Sequence, residues 1–274
     1  MASPSSRLAL VTGASSGIGA ATVHQLLAGG WRVVAAARRV EAMEALAAAG
    51  AAVMPLDVAD AASRQALVEQ VLAREGPIEA LVNNAGYGHI GPMETVDLAD
   101  ARAMFEVNLF GLMGLTQLVL PSMRERGRGR VVNVSSMAGE VVTPGAGWYG
   151  ASKFALEGLS DALRLELQPF GIQVVVIQPG LIRTAFAEVT APSMEANLGS
   201  AVYGPMMRRV AAAWERVYRR ASEPELVART IGRALEEPTP EARYACGHQA
   251  AVSMVAHRLM PTRLWDALLR REMT

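Results

Sequence analysis

The chain has 274 residues, 51% of them hydrophobic, and its 26 basic and 26 acidic side chains balance. That apolar content fills a sizeable core and excludes a disordered chain, and a neutral balance gives no electrostatic case for a nucleic-acid partner. One cysteine, Cys246, excludes an intrachain disulfide and a cysteine-based metal cluster, so no metal site is expected.

In chain order, residues 8–12 predict a strand, 17–29 a helix, 31–36 a strand and 40–49 a helix. Residues 52–56, 80–83, 131–135 and 173–178 read as further strands, separated by helical stretches at 61–74, 98–124 and 151–168. This alternation predicts an α/β fold, a Rossmann-like doubly wound parallel sheet in a single domain. Beyond Thr184 the pattern weakens. Residues 185–222 read as a substrate lid, 224–236 as a helix capped by Ser222, and 243–245 as a last strand. Residues 250–273 read as two short amphipathic stretches split by Pro261. Residues 1–7 lack an apolar run, which predicts no secretory leader. The apolar runs read as strand-sized, which predicts no integral membrane span, and a cytoplasmic location is expected. The tail is expected to pack on the core or a neighbouring subunit; lying on a membrane surface is the alternative.

Thr12-Gly13-Ala14-Ser15-Ser16-Gly17-Ile18-Gly19 joins the first strand to the first helix. Glycine lets a backbone turn tightly and touch a ligand. Gly13 is placed to make the turn, Gly17 to approach a pyrophosphate, and Gly19 to pack helix on sheet. Free N–H groups at the helix start favour that anion. The second strand ends at Ala37-Arg38-Arg39, and Ala37 stands where an acid would bind a ribose 2′-hydroxyl. Arg38 suits a 2′-phosphate instead, so NADP is expected over NAD.

Tyr149 and Lys153 lie four apart, on one face of a helix. A free tyrosine titrates near ~10, and a neighbouring ammonium lowers that value, so the pair is either a general acid/base or a solvent-facing pair of an ion and an aromatic ring. Ser135 and Ser136 end the strand before that helix, where ligands of parallel sheets sit. Asn83-Asn84-Ala85-Gly86 ends another strand. Asn108, inside an apolar helix, is either a satisfied structural amide or a proton-relay residue holding water near Lys153.

In order and spacing these residues, with Asp57-Val58 and Pro179-Gly180, resemble the short-chain dehydrogenase/reductase family over residues 7–184. The resemblance implies a catalytic set of Asn108, Ser136, Tyr149 and Lys153. Tyr149 would be the acid/base, Lys153 the residue that lowers its pKa and holds the nicotinamide ribose, and Ser136 the substrate-oxygen donor. It implies cofactor contacts at Gly13, Ser15, Ser16, Gly17, Ile18 and Gly19, and at Arg38, Arg39, Asp57 and Val58. Further contacts are implied at Asn84, Ala85, Gly86, Tyr149, Lys153, Pro179, Gly180, Ile182 and Thr184. Many NADP-using relatives carry a basic residue in the glycine loop; Ser16 stands there, which leaves discrimination to Arg38 and Arg39. Asn84-Ala85-Gly86-Tyr87-Gly88 and Ala151-Ser152-Lys153-Phe154-Ala155-Leu156-Glu157-Gly158 are similar to the 17β-hydroxysteroid and retinol dehydrogenase branch.

The expected activity is NADP-dependent interconversion of a hydrophobic ketone or aldehyde and its alcohol. The expected substrate lining is Met137, Val142, Phe186, Met194, Tyr203 and Met206, with no Arg or Lys between Thr184 and Met207 to hold an anionic handle. A dinucleotide-binding regulator or scaffold on the same fold is the alternative, disfavoured because Ser, Tyr and Lys are all present. An epimerase or dehydratase would need a larger domain after Thr184. A homodimer or homotetramer is expected, with Ala155, Leu159, Ala162 and Leu163 forming a second buried helix face.

Overall fold

Small and branched apolar residues fill the strand segments without a polar face, the pattern of a parallel sheet covered on both sides. The computed structural model describes residues 7–273 and has that architecture. Strands β1 (Leu8–Thr12), β2 (Arg32–Ala37), β3 (Ala52–Pro55), β4 (Ala80–Asn83), β5 (Gly129–Val134), β6 (Ile172–Pro179) and β7 (Arg243–Cys246) form one sheet. Its order is β3-β2-β1-β4-β5-β6-β7, and every neighbouring pair is parallel. The order reverses between β1 and β4, so a crevice opens above their carboxyl ends.

Alternation along each strand sends successive side chains to opposite faces. Ala9, Val11, Val33 and Val132 pack with Val23 of α1 (Gly17–Ala28) and Ile231 of α9 (Pro224–Glu236). Leu8, Leu10, Val34 and Val131 pack with Leu67 of α3 (Ala61–Arg74), Leu115 of α5 (Leu112–Glu125) and Leu163 of α6 (Gly147–Leu167). Each such burial contributes about 1.5–3 kcal/mol, so the fold rests on no single side chain.

Several expectations change. The 40–49 helix is a 3-10 turn, Glu41–Met43, followed by the short α2 (Glu44–Ala48). The helix expected from residue 151 starts at Gly147, which carries Tyr149 into its first turn. The stretch Leu98–Glu125 is 28 residues long and, by length and composition alone, apolar enough to cross a membrane. Asn108 and Gly111 hid it by dividing its apolar runs. Half of its most apolar 18-residue window is buried, and the stretch packs on α3, β4 and β5. It comprises α4 (Leu98–Phe105), a π turn over Glu106–Gly111, and α5.

Ser222 does not cap α9. Glu223 holds the cap position, and Pro224 presets the first turn; the Ser222 hydroxyl accepts from the His248 N–H at 3.1 Å instead. Helices α7 (Phe186–Glu195) and α8 (Gly204–Tyr218) occupy the expected lid segment. In the tail, Ala250 and Met254 of α10 (Ala250–Leu259) pack on Val141, joined by Trp265 of α11 (Thr262–Met273). The proposed second face of α6 is not one surface. Leu163 belongs to the sheet core, Ala155 and Leu159 pack against Leu109 and Leu112 of the same chain, and Ala162 is exposed.

Candidate active site

A cavity of about 1000 Å3 follows the crevice from the β1–α1 loop to α7. The glycine loop forms its floor at one end. Gly13 and Gly17 have φ of 64° and 55°, in the left-handed region that favours glycine. A side-chain carbon on Gly19 would lie 2.3 Å from the Gly13 carbonyl oxygen, so Gly19 sits behind the loop and seats helix on turn, as its spacing suggests. The Asn84 amide donates to the carbonyls of Thr12 and Gly13 at 2.9 and 3.3 Å and ties the β4 loop to the same turn.

Beyond the loop, the exposed Arg38 and Arg39 line the cavity, and Arg39 donates to the Ser15 hydroxyl at 3.3 Å. Asp57 and Val58 line it beside them, with Asp57 accepting from the Ala59 N–H at 3.0 Å. Ser15, Ser16, Ile18, Ala85, Gly86, Pro179, Gly180, Ile182 and Thr184 also reach its wall. A side-chain carbon on Gly17 would meet Thr184 at 3.0 Å, so the turn after β6 closes over the glycine loop. The cradle fits a dinucleotide: a glycine-lined floor at a helix start, two guanidinium groups at one end and hydroxyls at the other.

At that other end Ser136, Tyr149 and Lys153 converge. Burial pushes the Tyr149 phenol up to about 12, and its hydrogen bond with Ser136 acts against that. The Phe186 ring tilts against it at 5.4 Å, in space left by Gly88. Ser135, one residue earlier, is buried with no partner for its hydroxyl, so Ser136 is the serine that meets the tyrosine. Lys153 is 5% exposed; its ammonium donates to the Val134 carbonyl at 3.0 Å and lies 5.9 Å from the Tyr149 ring centre. Burial pushes Lys153 down to about 8, against the pull of Glu157. The expected lowering of Tyr149 by Lys153 is therefore not what governs the phenol here: burial raises it, and the opposing pull comes from Ser136.

Asn108 stands behind the wall rather than in it. Fully buried in the π turn, it accepts from the Tyr87 N–H at 3.0 Å and donates to the Tyr87 carbonyl at 2.9 Å and to Ser152 at 3.1 Å. It thus clamps the β4 loop to the helix that carries Tyr149 and Lys153.

Of the expected substrate lining, Met137 and Phe186 reach the cavity. Met194, Tyr203 and Met206 pack with Ile90, Ala146 and Met207 in a small core of which only Ile90, Ala146 and Trp214 reach the cavity wall, and Val142 packs on Gly150. Flexible apolar side chains fill core gaps as readily as they line pockets, which is why composition misplaced them. Trp214 and Tyr218 line the cavity in their place. The Tyr218 hydroxyl accepts from the Thr184 N–H and donates to its carbonyl, both at 3.1 Å. Val210, Trp214 and Tyr218 recur every four residues along α8, a stripe from which this lining was legible.

Residues 7–195 match the family model described as short chain dehydrogenase. The chain is 33% identical over 263 residues to the probable short-chain type dehydrogenase/reductase VdlC of Helicobacter pylori, covering 96% of each chain. It is 32% identical over 277 residues to the NADPH-dependent 3-dehydrocapnine reductase of Ornithobacterium rhinotracheale, covering 97% of each. The solved closed form of a serine dehydrogenase complexed with NADP+ superposes with a TM-score of 0.77 at 28% identity, covering 88% of this chain and 94% of that one. With the glycine-floored crevice, the Ser–Tyr–Lys end and these likenesses together, the chain belongs to the short-chain dehydrogenase/reductase family and is a NAD(P)-dependent oxidoreductase.

Proposed function

We propose that the protein is an NADP(H)-dependent enzyme that interconverts a hydrophobic ketone or aldehyde and its alcohol. The observation that carries this is one cavity with Arg38 and Arg39 at one end and Ser136, Tyr149 and Lys153 at the other. A nicotinamide bound there supplies or takes the hydride. The chain's own residues handle the proton and the geometry. Tyr149, a neutral phenol at neutral pH, donates its proton to the carbonyl oxygen, and Ser136 holds that oxygen. Lys153 has three N–H groups; Val134 takes one, leaving the others for the ribose hydroxyls. Asn108 fixes the wall that faces them. Arg38 and Arg39 bind the 2′-phosphate, where an acid would repel it. Past Thr184 the cavity is lined by Ala185, Phe186, Val189, Trp214 and Tyr218, with Glu188 as its one charge, so a large apolar carbonyl compound suits it better than an anion.

A panel of steroid, retinoid, aromatic and aliphatic ketones, followed by NADPH absorbance and repeated with NADH, tests this. Turnover of large apolar ketones with tighter NADPH than NADH is expected. Activity restricted to small anionic carbonyls would sink the substrate class, and equal or tighter NADH binding would sink the cofactor preference.

The exposed Phe110 and Phe154 and the exposed Leu165 lie on the π turn and α6. We read them as the self-complementary patch of a homodimer or homotetramer. Light scattering at micromolar concentration should give a multiple of the 29.1 kDa chain; a monomer refutes it.

A further inference from the structure

Helix α6 repeats an ionisable side chain every four residues: Tyr149, Lys153, Glu157 and Asp161. Side chains at that spacing share one helix face. Glu157 is buried, 7% exposed, and its carboxylate accepts from Arg243 at 2.9 Å and from the Gln178 amide at 3.2 Å. Buried carboxylates stay charged only when paired and hydrogen-bonded. Arg243, on β7, also binds Asp161 at 2.7 Å, and Gln178, on β6, also donates to Glu140 at 2.8 Å. Glu140 is in turn held by Arg258 of α10 at 2.7 and 2.8 Å. Strand, turn and tail thus fix one carboxylate a single helical turn from Lys153.

Among the described residues, the other groups that face Lys153 are neutral. They are the Tyr149 phenol on α6, the Val134 carbonyl and Ser136 hydroxyl at the end of β5, and the Asn108 amide of the π turn beside Gly86. Among the described residues, Glu157 is the charged group set against the burial of the ammonium. We propose that Glu157, gripped by Arg243 and Gln178, is a positioning residue that keeps Lys153 charged and seated in the catalytic wall. The inference rests on the reading of Lys153 as part of the reaction machinery. The direction of the burial effect on Lys153 agrees with it: desolvation drives the ammonium toward its neutral form, and Glu157 opposes that.

Lys153 is the only lysine in the sequence, so 13Cε-lysine labelling yields one side-chain resonance that needs no assignment. Glu157→Gln should lower the midpoint of its titration by about one pH unit. It should also move the alkaline limb of kcat down with it, cutting turnover there about tenfold. The KM for the ketone should stay unchanged, and Glu157→Asp should recover part of both effects. A merely structural Glu157 would change melting temperature and leave the midpoint in place; an unmoved midpoint overturns the proposal. Should Glu157→Gln fail to fold, Glu157→Asp alone, with its carboxylate drawn back by one methylene, should give a smaller shift in the same direction, and no shift there is equally fatal. If the resonance moves as expected while Tyr149→Phe keeps full turnover, the catalytic reading falls and the charge pairing stands.

Discussion

Replacing Tyr149 with phenylalanine is expected to cut turnover by at least about 100-fold, the contribution of one positioned general acid. The sign follows from the site. Burial raises the phenol to about 12, so at neutral pH it carries its proton and is a donor rather than a base. That state suits reduction, in which a developing alkoxide must be protonated. Phenylalanine keeps the ring and its contact with Phe186 and removes one oxygen, whose bond to Ser136 is also lost. Folding and cofactor affinity should therefore survive, with melting temperature close to wild type and NADPH binding, read by fluorescence, within a fewfold. Near-normal turnover of any accepted ketone would remove Tyr149 from the mechanism.

Asn108→Leu should act on both stability and rate. The substitution strands the N–H and carbonyl of Tyr87 and removes a donor from Ser152. Each unpaired buried group costs about 1–3 kcal/mol, so a loss of about 3 kcal/mol in urea unfolding is expected. Turnover per folded molecule should also fall, by up to ~100-fold, because Gly86 and Tyr87 line the cavity in which the proposed reactants would be aligned. The folded fraction is measured by circular dichroism and kcat is corrected for it. If the corrected kcat matches wild type, the amide is a structural strut alone.

The strands were legible because their composition is uniform: runs such as 80–83 and 173–178 offer no polar face for a half-exposed sheet. The glycine loop, the arginine pair and the Ser–Tyr–Lys set were legible because each is local, a few residues whose spacing fixes their geometry. What failed was whatever depended on long-range packing. Met194, Tyr203 and Met206 have the chemistry of a pocket, yet α7, α8 and the turn before α8 direct them toward Ile90 and Met207. The influence of Lys153 on Tyr149 was argued from charge alone, and the dry surroundings that decide the outcome do not show in a spacing of four. The grip on Glu157 joins residues 157, 178 and 243, which nothing in the local sequence brings together.

Ser222 fastens three segments that lie far apart in the chain. Its carbonyl accepts from Arg183 at 2.8 Å, its N–H donates to Leu181 at 2.9 Å, and its hydroxyl takes the His248 N–H. Gly180, whose side-chain position would fall 2.0 Å from the His248 carbonyl oxygen, leaves no slack on the other side. The end of the lid, the turn after β6 and the approach to α10 are riveted at one point, and that point borders the cavity. Length variation between Ser222 and His248 therefore has one harmless outlet, the irregular segment 237–242 that leads into β7. An insertion there would bulge into solvent, whereas one placed at 247–249 would be transmitted as a displacement of the cavity wall.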